Sequence, residues 1–282
     1  MRHLLGTCAS GVVLSAVCWS GGAQAEQPRD YFLNAPTAGT FAHLDAYTVG
    51  AQVSLENRAD LEPGMSMLHT RLSGIVSYPY VDGSANVDVR VFLLTFGVSA
   101  GYRHVYRDHT FAPGEDDSLE ARRQREKDDA FGTQSFTHYE GRARLVIPLD
   151  PFFMVHTGTL RNEDRNDNSF DWFHANVHDG GLIGKYETTL FFRHRDFGAV
   201  GPYFRYMSIP TTRADGSHER TSEIHLGGVI GTRPGFIRPR GGNTDLALLQ
   251  VVAKPGDGDY GFHGYNVPLY ILGVYRATLS LF

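Results

Sequence analysis

Apolar and polar residues alternate along most of the chain with a period of two, the spacing that sends successive strand side chains to opposite faces of a sheet. Tyr47, Val49, Ala51, Val53 and Leu55 share one face, and Thr48, Gly50, Gln52 and Ser54 take the other. Leu68, Thr70, Leu72, Gly74, Val76 and Tyr78 oppose His69, Arg71, Ser73 and Ser77. The contrast sharpens where Tyr139, Gly141, Ala143, Leu145 and Ile147 face away from His138, Glu140, Arg142 and Arg144. It recurs where Leu182, Gly184, Tyr186, Leu190 and Phe192 oppose Lys185, Glu187, Thr189 and Arg193, and where Ile224, Leu226 and Ile230 oppose Glu223 and His225. The final stretch sets Leu269, Ile271, Tyr275, Ala277, Leu279 and Leu281 against Arg276, Thr278 and Ser280.

The pattern predicts an all-β chain of about ten strands, at residues 47–55, 67–78, 87–106, 136–147, 152–160, 182–193, 199–209, 222–230, 244–253 and 267–282. In 87–106 the phase changes near residues 92–94, as a β-bulge would make it. Pro202 interrupts its own strand. Two further strands inside "DWFHANVHDGG" would raise the number to twelve. Long charged connections are expected at one end (57–66, 107–135, 161–181, 210–221 and 254–266) and short turns at the other (79–86, 148–151 and 195–197). Tyr78, Tyr80, Phe152, Phe153, Phe191, Phe192 and Phe197 group toward the short-turn end, and Tyr102, Tyr106, Tyr139, Tyr186 and Tyr206 toward the other.

One apolar and one charged face fits either a soluble sandwich, apolar side inward, or a membrane barrel, apolar side toward lipid. The apolar faces are rich in Gly, Ala, Thr and Tyr, a thin coat suited to lipid contact, and the two aromatic groups read as interface girdles. A transmembrane antiparallel β-barrel is therefore expected. Energy sets its register. An Arg facing lipid at the midplane costs about 2–4 kcal/mol, so the face carrying both Arg142 and Arg144 belongs to the lumen. The expected lumen set is His69, Arg71, Arg90, His138, Glu140, Arg142, Arg144, Lys185, Glu187, Arg193, Arg205, Glu223, His225 and Arg276. With mixed signs and a basic excess, these side chains should pair across a narrow interior and close most of it.

Composition agrees. The longest apolar run, "VFLLTFGVSA", falls well short of the ~20 residues of a spanning helix. Residues 1–25 read as a cleaved secretory signal: a basic start, an apolar stretch and a small-residue site at Ala23-Gln24-Ala25. Both cysteines, Cys8 and Cys18, fall within it, so disulfides are not expected in the mature chain. A formal charge of −5 leaves no nucleic-acid footprint. Residues 26–46 are expected to be a periplasmic segment and 47–282 the barrel.

The signal, the alternating strands and the terminal Phe282 together resemble the Gram-negative outer-membrane β-barrel family. The resemblance implies insertion by the barrel-assembly machinery, contact with outer-membrane lipid and lipopolysaccharide, and residence in the bacterial outer membrane. Phe282 departs from the family pattern by one step, because Leu279 and Leu281 carry the lipid-facing phase. "NAPTAG" before the first strand weakly resembles barrels associated with surface polysaccharide. The size resembles the small barrels of gliding-motility machinery.

Candidate chemistry is sparse. His174 and His178 stand four apart beside Asp171 and Asp179, and Asp257-Gly258-Asp259 lies in a Gly-rich stretch, but a solvated loop and a flexible turn explain them better than metal ligation does. No local arrangement pairs a nucleophile with a base, so neither catalysis nor a cofactor or metal is expected. Arg233, Arg238 and Arg240 on one turn are candidates for docking an acidic periplasmic partner, and the mixed charges of 115–130 for a surface segment. The expected role is an anchor or scaffold in an envelope-spanning complex for adhesion, gliding motility or export. The alternatives are a narrow diffusion channel for small anions and, third, a lipid- or peptide-hydrolysing barrel.

Overall fold

The computed structural model describes residues 38–282 except 49, 63–64, 109, 111, 113–114, 116–123, 126, 165–168, 172–175, 195–197, 213–216, 238–242, 255–268 and 282. Twelve antiparallel strands close into one barrel. In order around the wall they are β1 (Gly39–Tyr47), β2 (Gly50–Glu62), β3 (Ser66–Ser77), β4 (Tyr80–Val91), β5 (Leu94–Asp108), β6 (Gly132–Leu149), β7 (Phe152–Glu163), β10 (Gly181–His194), β11 (Gly198–Thr212), β12 (His218–Thr232), β13 (Thr244–Ala253) and β14 (Leu269–Ser280). β8 (Ser169–Asp171) and β9 (Asn176–His178) pair as a separate two-stranded sheet within the β7–β10 connection. Each barrel strand bonds to its neighbour in sequence, and β14 returns to β1 with Phe41 opposite Ser280 and Tyr47 opposite Val274.

The higher of the two strand numbers holds, but its source differs from the expected one. The "DWFHANVHDGG" segment does not add barrel strands. Instead β1 precedes the first expected strand, so the barrel begins at Gly39 and residues 39–46 belong to its wall, not to a periplasmic segment. The second addition comes from 87–106. The phase change there is a tight turn and not a bulge: the chain reverses at Phe92 and Leu93, with Phe92 at φ 53°. The signal segment lies outside the described residues.

The chain order fixes which connections share an end. The first residues of β1 and the last of β14 lie with Glu62–Ser66, Val91–Leu94, Leu149–Phe152, His194–Gly198 and Thr232–Thr244. The other end carries Asp108–Gly132, Glu163–Gly181, Thr212–His218 and Ala253–Leu269, and also the two-residue hairpins after Tyr47 and Ser77. Two expectations are corrected. Residues 57–66 join the terminus end, and the turn after Ser77 joins the long-loop end, with 80–86 inside β4. Tyr78 and Tyr80 move with it, and Tyr80 turns inward.

The apolar face is outside. Leu72, Val76 and Val98 are 63%, 63% and 65% exposed on the outer wall, where lipid would cover them. The ionised face is inside: Arg144, Arg205, Glu223 and Arg276 are buried. Strand pleat separates even adjacent phenylalanines. Phe152 and Phe192 meet on the outer wall with ring centroids 5.3 Å apart, whereas Phe153 and Phe191 stack inside at 4.7 Å. The inner pair anchors an apolar cluster with Val146, Val155, Tyr203, Val229 and Leu246 that fills part of the lumen.

Pro202 is accommodated within β11. It pairs with Gly228 of β12, while the ladder to β10 skips from Thr189–Tyr203 to Phe192–Val200. Its missing N–H makes that gap tolerable. Gly201 beside it permits close approach, since a Cβ there would lie 1.8 Å from the Leu190 carbonyl oxygen.

Candidate functional site

The lumen is built by the inward phase of every strand, and its polar residues collect into short networks between strands one or two places apart around the wall. On β1–β3, Glu56 is the hub. His43 Nε2 lies 2.7 Å from its Oε2, His69 Nδ1 lies 3.0 Å from Oε1, and Arg58 Nε donates to Oε1 at 2.9 Å. Arg58 also stacks on Phe41, 4.1 Å above the ring centroid, and Arg71 sits across the β2–β3 ladder from Glu56. On β4–β6, Asp82 accepts from Arg103 Nε at 2.8 Å and lies 3.0 Å from His138 Nε2. Arg103 packs over Tyr80, 4.2 Å from its centroid.

Around the rest of the wall the same rule operates. Arg142 Nη2 donates to Asp88 at 2.6 Å, and Arg144 Nε donates to the Thr157 hydroxyl at 3.2 Å. Arg161 bonds Glu163 at 2.6 Å and lies 3.9 Å from Glu140. Glu187 accepts from Arg205 Nη2 at 2.8 Å and from the Tyr203 hydroxyl, with Lys185 Nζ 3.3 Å away. Glu223 lies 3.0 Å from His225 Nε2 and 2.9 Å from Lys254 Nζ. Arg276 clamps Asp45 with two bonds of 2.6 Å. Buried charges persist only when paired and hydrogen-bonded in this way.

The residues expected in the lumen all lie on the inward phase of their strands. Arg90 is buried inside β4. Arg193 is inward at the terminus end, where it bonds Asp150 at 2.5 Å. Three acidic partners, Asp45, Glu56 and Asp82, were not foreseen. Asp45 and His43 were assigned outside the barrel, Glu56 and Arg58 fell at or beyond a strand edge, and Asp82 in a turn; extending the alternation of β2 by two more steps would have reached Glu56 and Arg58.

The networks do not fill the interior completely. A cavity of about 340 Å³ lies among them. Its lining interleaves the cations Arg142, Arg144, Lys185, Arg205 and Arg276 with the apolar side chains of Val155, Val229, Leu246, Leu248 and Leu272.

Of the other candidates, Arg238, Arg240, His174, Asp257 and Asp259 lie outside the described residues. Arg233 is half-buried at the start of the β12–β13 turn. The Asp245 carboxylate fixes that turn, accepting from the N–H groups of Gly235, Phe236 and Ile237 at 3.1, 2.6 and 3.2 Å, and leaves Phe236 79% exposed. His178 is buried, and its Nδ1 accepts from the Gly180 N–H at 3.1 Å. At the long-loop rim the fold assembles a contact that local spacing hid. The Thr212 hydroxyl donates to Asp179 at 2.5 Å and lies 3.1 Å from His218 Nδ1, which is 3.4 Å from the same carboxylate.

No protein-family model matches the chain, and no curated protein matches it by sequence. Among solved structures it is similar to a membrane protein from work on in-meso crystallization of membrane proteins, at 8% identity over 86% of this chain and 83% of that one, TM-score 0.43. It is similar to LpxR from Salmonella typhimurium at 9% identity, covering 86% and 100%, TM-score 0.40. OmpT, an outer membrane protein of Vibrio cholerae, follows at 8%, covering 85% and 95%, TM-score 0.29. Likenesses this low carry no argument about role, and the all-β closed barrel stands on the strand pairing of this chain itself. The expectation that the chain is not an enzyme is corrected here, because its premise fails: the rim contact of Thr212, His218 and Asp179 brings a hydroxyl, an imidazole and a carboxylate together.

Proposed function

We propose that the barrel resides in a bacterial outer membrane and serves as an anchor or scaffold for an envelope-spanning assembly, of the adhesion, gliding-motility or export kind. The observation that carries this reading is the interior. Ion-pair networks and the Phe153–Phe191 cluster occupy the lumen, so its design favours a fixed post over an open passage. The two ends support it. One bears long connections, and the other presents Phe236 and Arg233 on a turn held by Asp245. Crosslinking in intact membranes followed by co-purification tests the proposal: partners should accompany the barrel, and recovery of the barrel alone would overturn it. In planar bilayers the expected result is little conductance. A large, stable, anion-selective current would favour the narrow-channel alternative.

A second reading has its own observation. The Thr212–His218–Asp179 contact at the rim is the type of arrangement that activates a hydroxyl for hydrolysis. Incubating purified barrel with lipopolysaccharide and with a peptide panel tests it. Turnover that vanishes in both Thr212→Val and His218→Ala would establish this reading, and an absence of turnover on both substrates would remove it.

A further inference from the structure

We infer that the outer wall carries a seat for one phosphorylated membrane lipid, its phosphate on Arg220 and an acyl chain in a groove over β6 and β7. This goes beyond general contact with a bilayer and depends on neither reading above.

Arg220 calls for such a partner. Arg142, Arg205 and Arg276 turn into the lumen, but Arg220 shares the outward phase of β12 with Ser222, Ile224 and Leu226 and is exposed. A lipid-facing arginine is costly except near the headgroups. Arg220 lies opposite Pro210, beyond Tyr206 toward the long-loop rim. Tyr206 belongs to the aromatic group at that end, which puts Arg220 at headgroup level. Its guanidinium is held in place by Ser208: Nε donates to the hydroxyl at 3.1 Å and Nη2 to the carbonyl at 3.0 Å. Among the described residues no carboxylate pairs with it. His218, next on the same face, is engaged by Thr212 and Asp179, so Arg220 is the cation on offer. A phosphate accepts its remaining N–H groups in fork geometry.

The same Ser208 lines a groove of about 840 Å³ on the outer wall. Register makes the groove. Ala143 and Gly158 are cross-strand neighbours, with Phe96 beside Ala143 and Tyr186 beside Gly158. The two rings therefore stand three strand spacings apart, roughly 14 Å, with almost no side chain between them. Gly141 is as bare: a Cβ there or at Gly158 would meet nothing within 4 Å. Bilayer chains at large would fill this trough only in passing. A chain whose own headgroup is tethered at Arg220 stays, because its second contact is intramolecular.

Native mass spectrometry of the full barrel, released from phosphatidylcholine nanodiscs doped with dioleoyl phosphatidate, tests the seat. Retention of one phosphatidate per barrel is expected, with dioleoylglycerol at the same doping retained roughly tenfold less. Millimolar inorganic phosphate should not displace it. Arg220→Gln should cut retention roughly tenfold. Gly158→Phe and Ala143→Phe should each cut it several-fold by filling the groove. Gly74→Phe on β3, equally open but five places around the wall from β12, should change nothing. Heat-modifiable migration on gels identifies any variant that fails to fold, and if neither groove variant folds, Arg220→Gln at the exposed rim decides. Retention of several phosphatidates without saturation, or of none, would overturn the proposal. So would equal retention of dioleoylglycerol, displacement by inorganic phosphate, or a folded Arg220→Gln or groove variant that binds like the parent. A loss in Gly74→Phe as large as in the groove variants would overturn it too. Failure here leaves the anchor reading to its own co-purification test.

Discussion

Asp45 and Arg276 face each other across the seam where the last strand meets the first, joined by two hydrogen bonds of 2.6 Å. The pair is buried, and both oxygens of the carboxylate are used. Removing one partner strands the other charge in the lumen, a loss of about 3–5 kcal/mol for buried pairs. Asp45→Ala should therefore destabilise the barrel by that order in urea titrations followed by far-UV circular dichroism. The double variant Asp45→Leu/Arg276→Leu should lose less than Asp45→Ala alone. A double loss equal to the sum of the two single losses would mean that the pair carries no coupling.

Phe152 and Phe153 are adjacent in sequence but belong to different solvents. Phe153→Ala opens a hole in the inner cluster and should cost about 3–5 kcal/mol in the same assay. Phe152→Ala removes a ring that lies on the outer wall and should cost clearly less. A reversed order would contradict the inward placement of Phe153.

Gly201 and Gly228 make a similar contrast within one ladder. A methyl at Gly201 meets the Leu190 carbonyl oxygen, whereas at Gly228 the nearest atom, the Gly201 carbonyl oxygen, lies 3.8 Å away. Gly201→Ala should lower stability by about 1–3 kcal/mol or block refolding, as overpacking does. Gly228→Ala should be nearly silent. Heat-modifiable migration on gels reports both.

Depth on the outer wall can be read with arginine. Leu72 lies midway along β3 and is 63% exposed, so Leu72→Arg should cost about 2–4 kcal/mol in lipid vesicles. Leu281, just beyond the end of β14, should tolerate the same change at about 0–1 kcal/mol. Equal tolerance at the two positions would place the membrane elsewhere.

Alternation revealed the barrel and the lumen phase because charge contrast was strong in β6, β10 and β12. It failed where contrast was weak for a physical reason. In β1 the outward residues are Ala42, Leu44 and Ala46, and Phe41 faces inward, so neither side is marked by hydropathy. The Phe92–Leu93 turn is apolar, so it read as strand rather than as a break. Connection length misled as well, since two tight hairpins sit at the end that also carries the long loops. The basic part of the lumen was visible together with Glu140, Glu187 and Glu223, but Asp45, Glu56 and Asp82 were hidden by those same misplaced boundaries. The rim contact was beyond local pattern altogether: Asp179 and Thr212 are 33 positions apart and meet only through the β10–β11 wall.

An interior knitted by bonded charges and stacked rings has a mechanical consequence. A hollow cylinder ovalises when squeezed from one side. Here a sideways load on β6 reaches β4 through Arg142 and Asp88, and one on β11 reaches β10 through Arg205 and Glu187, so staves one or two places apart are tied together.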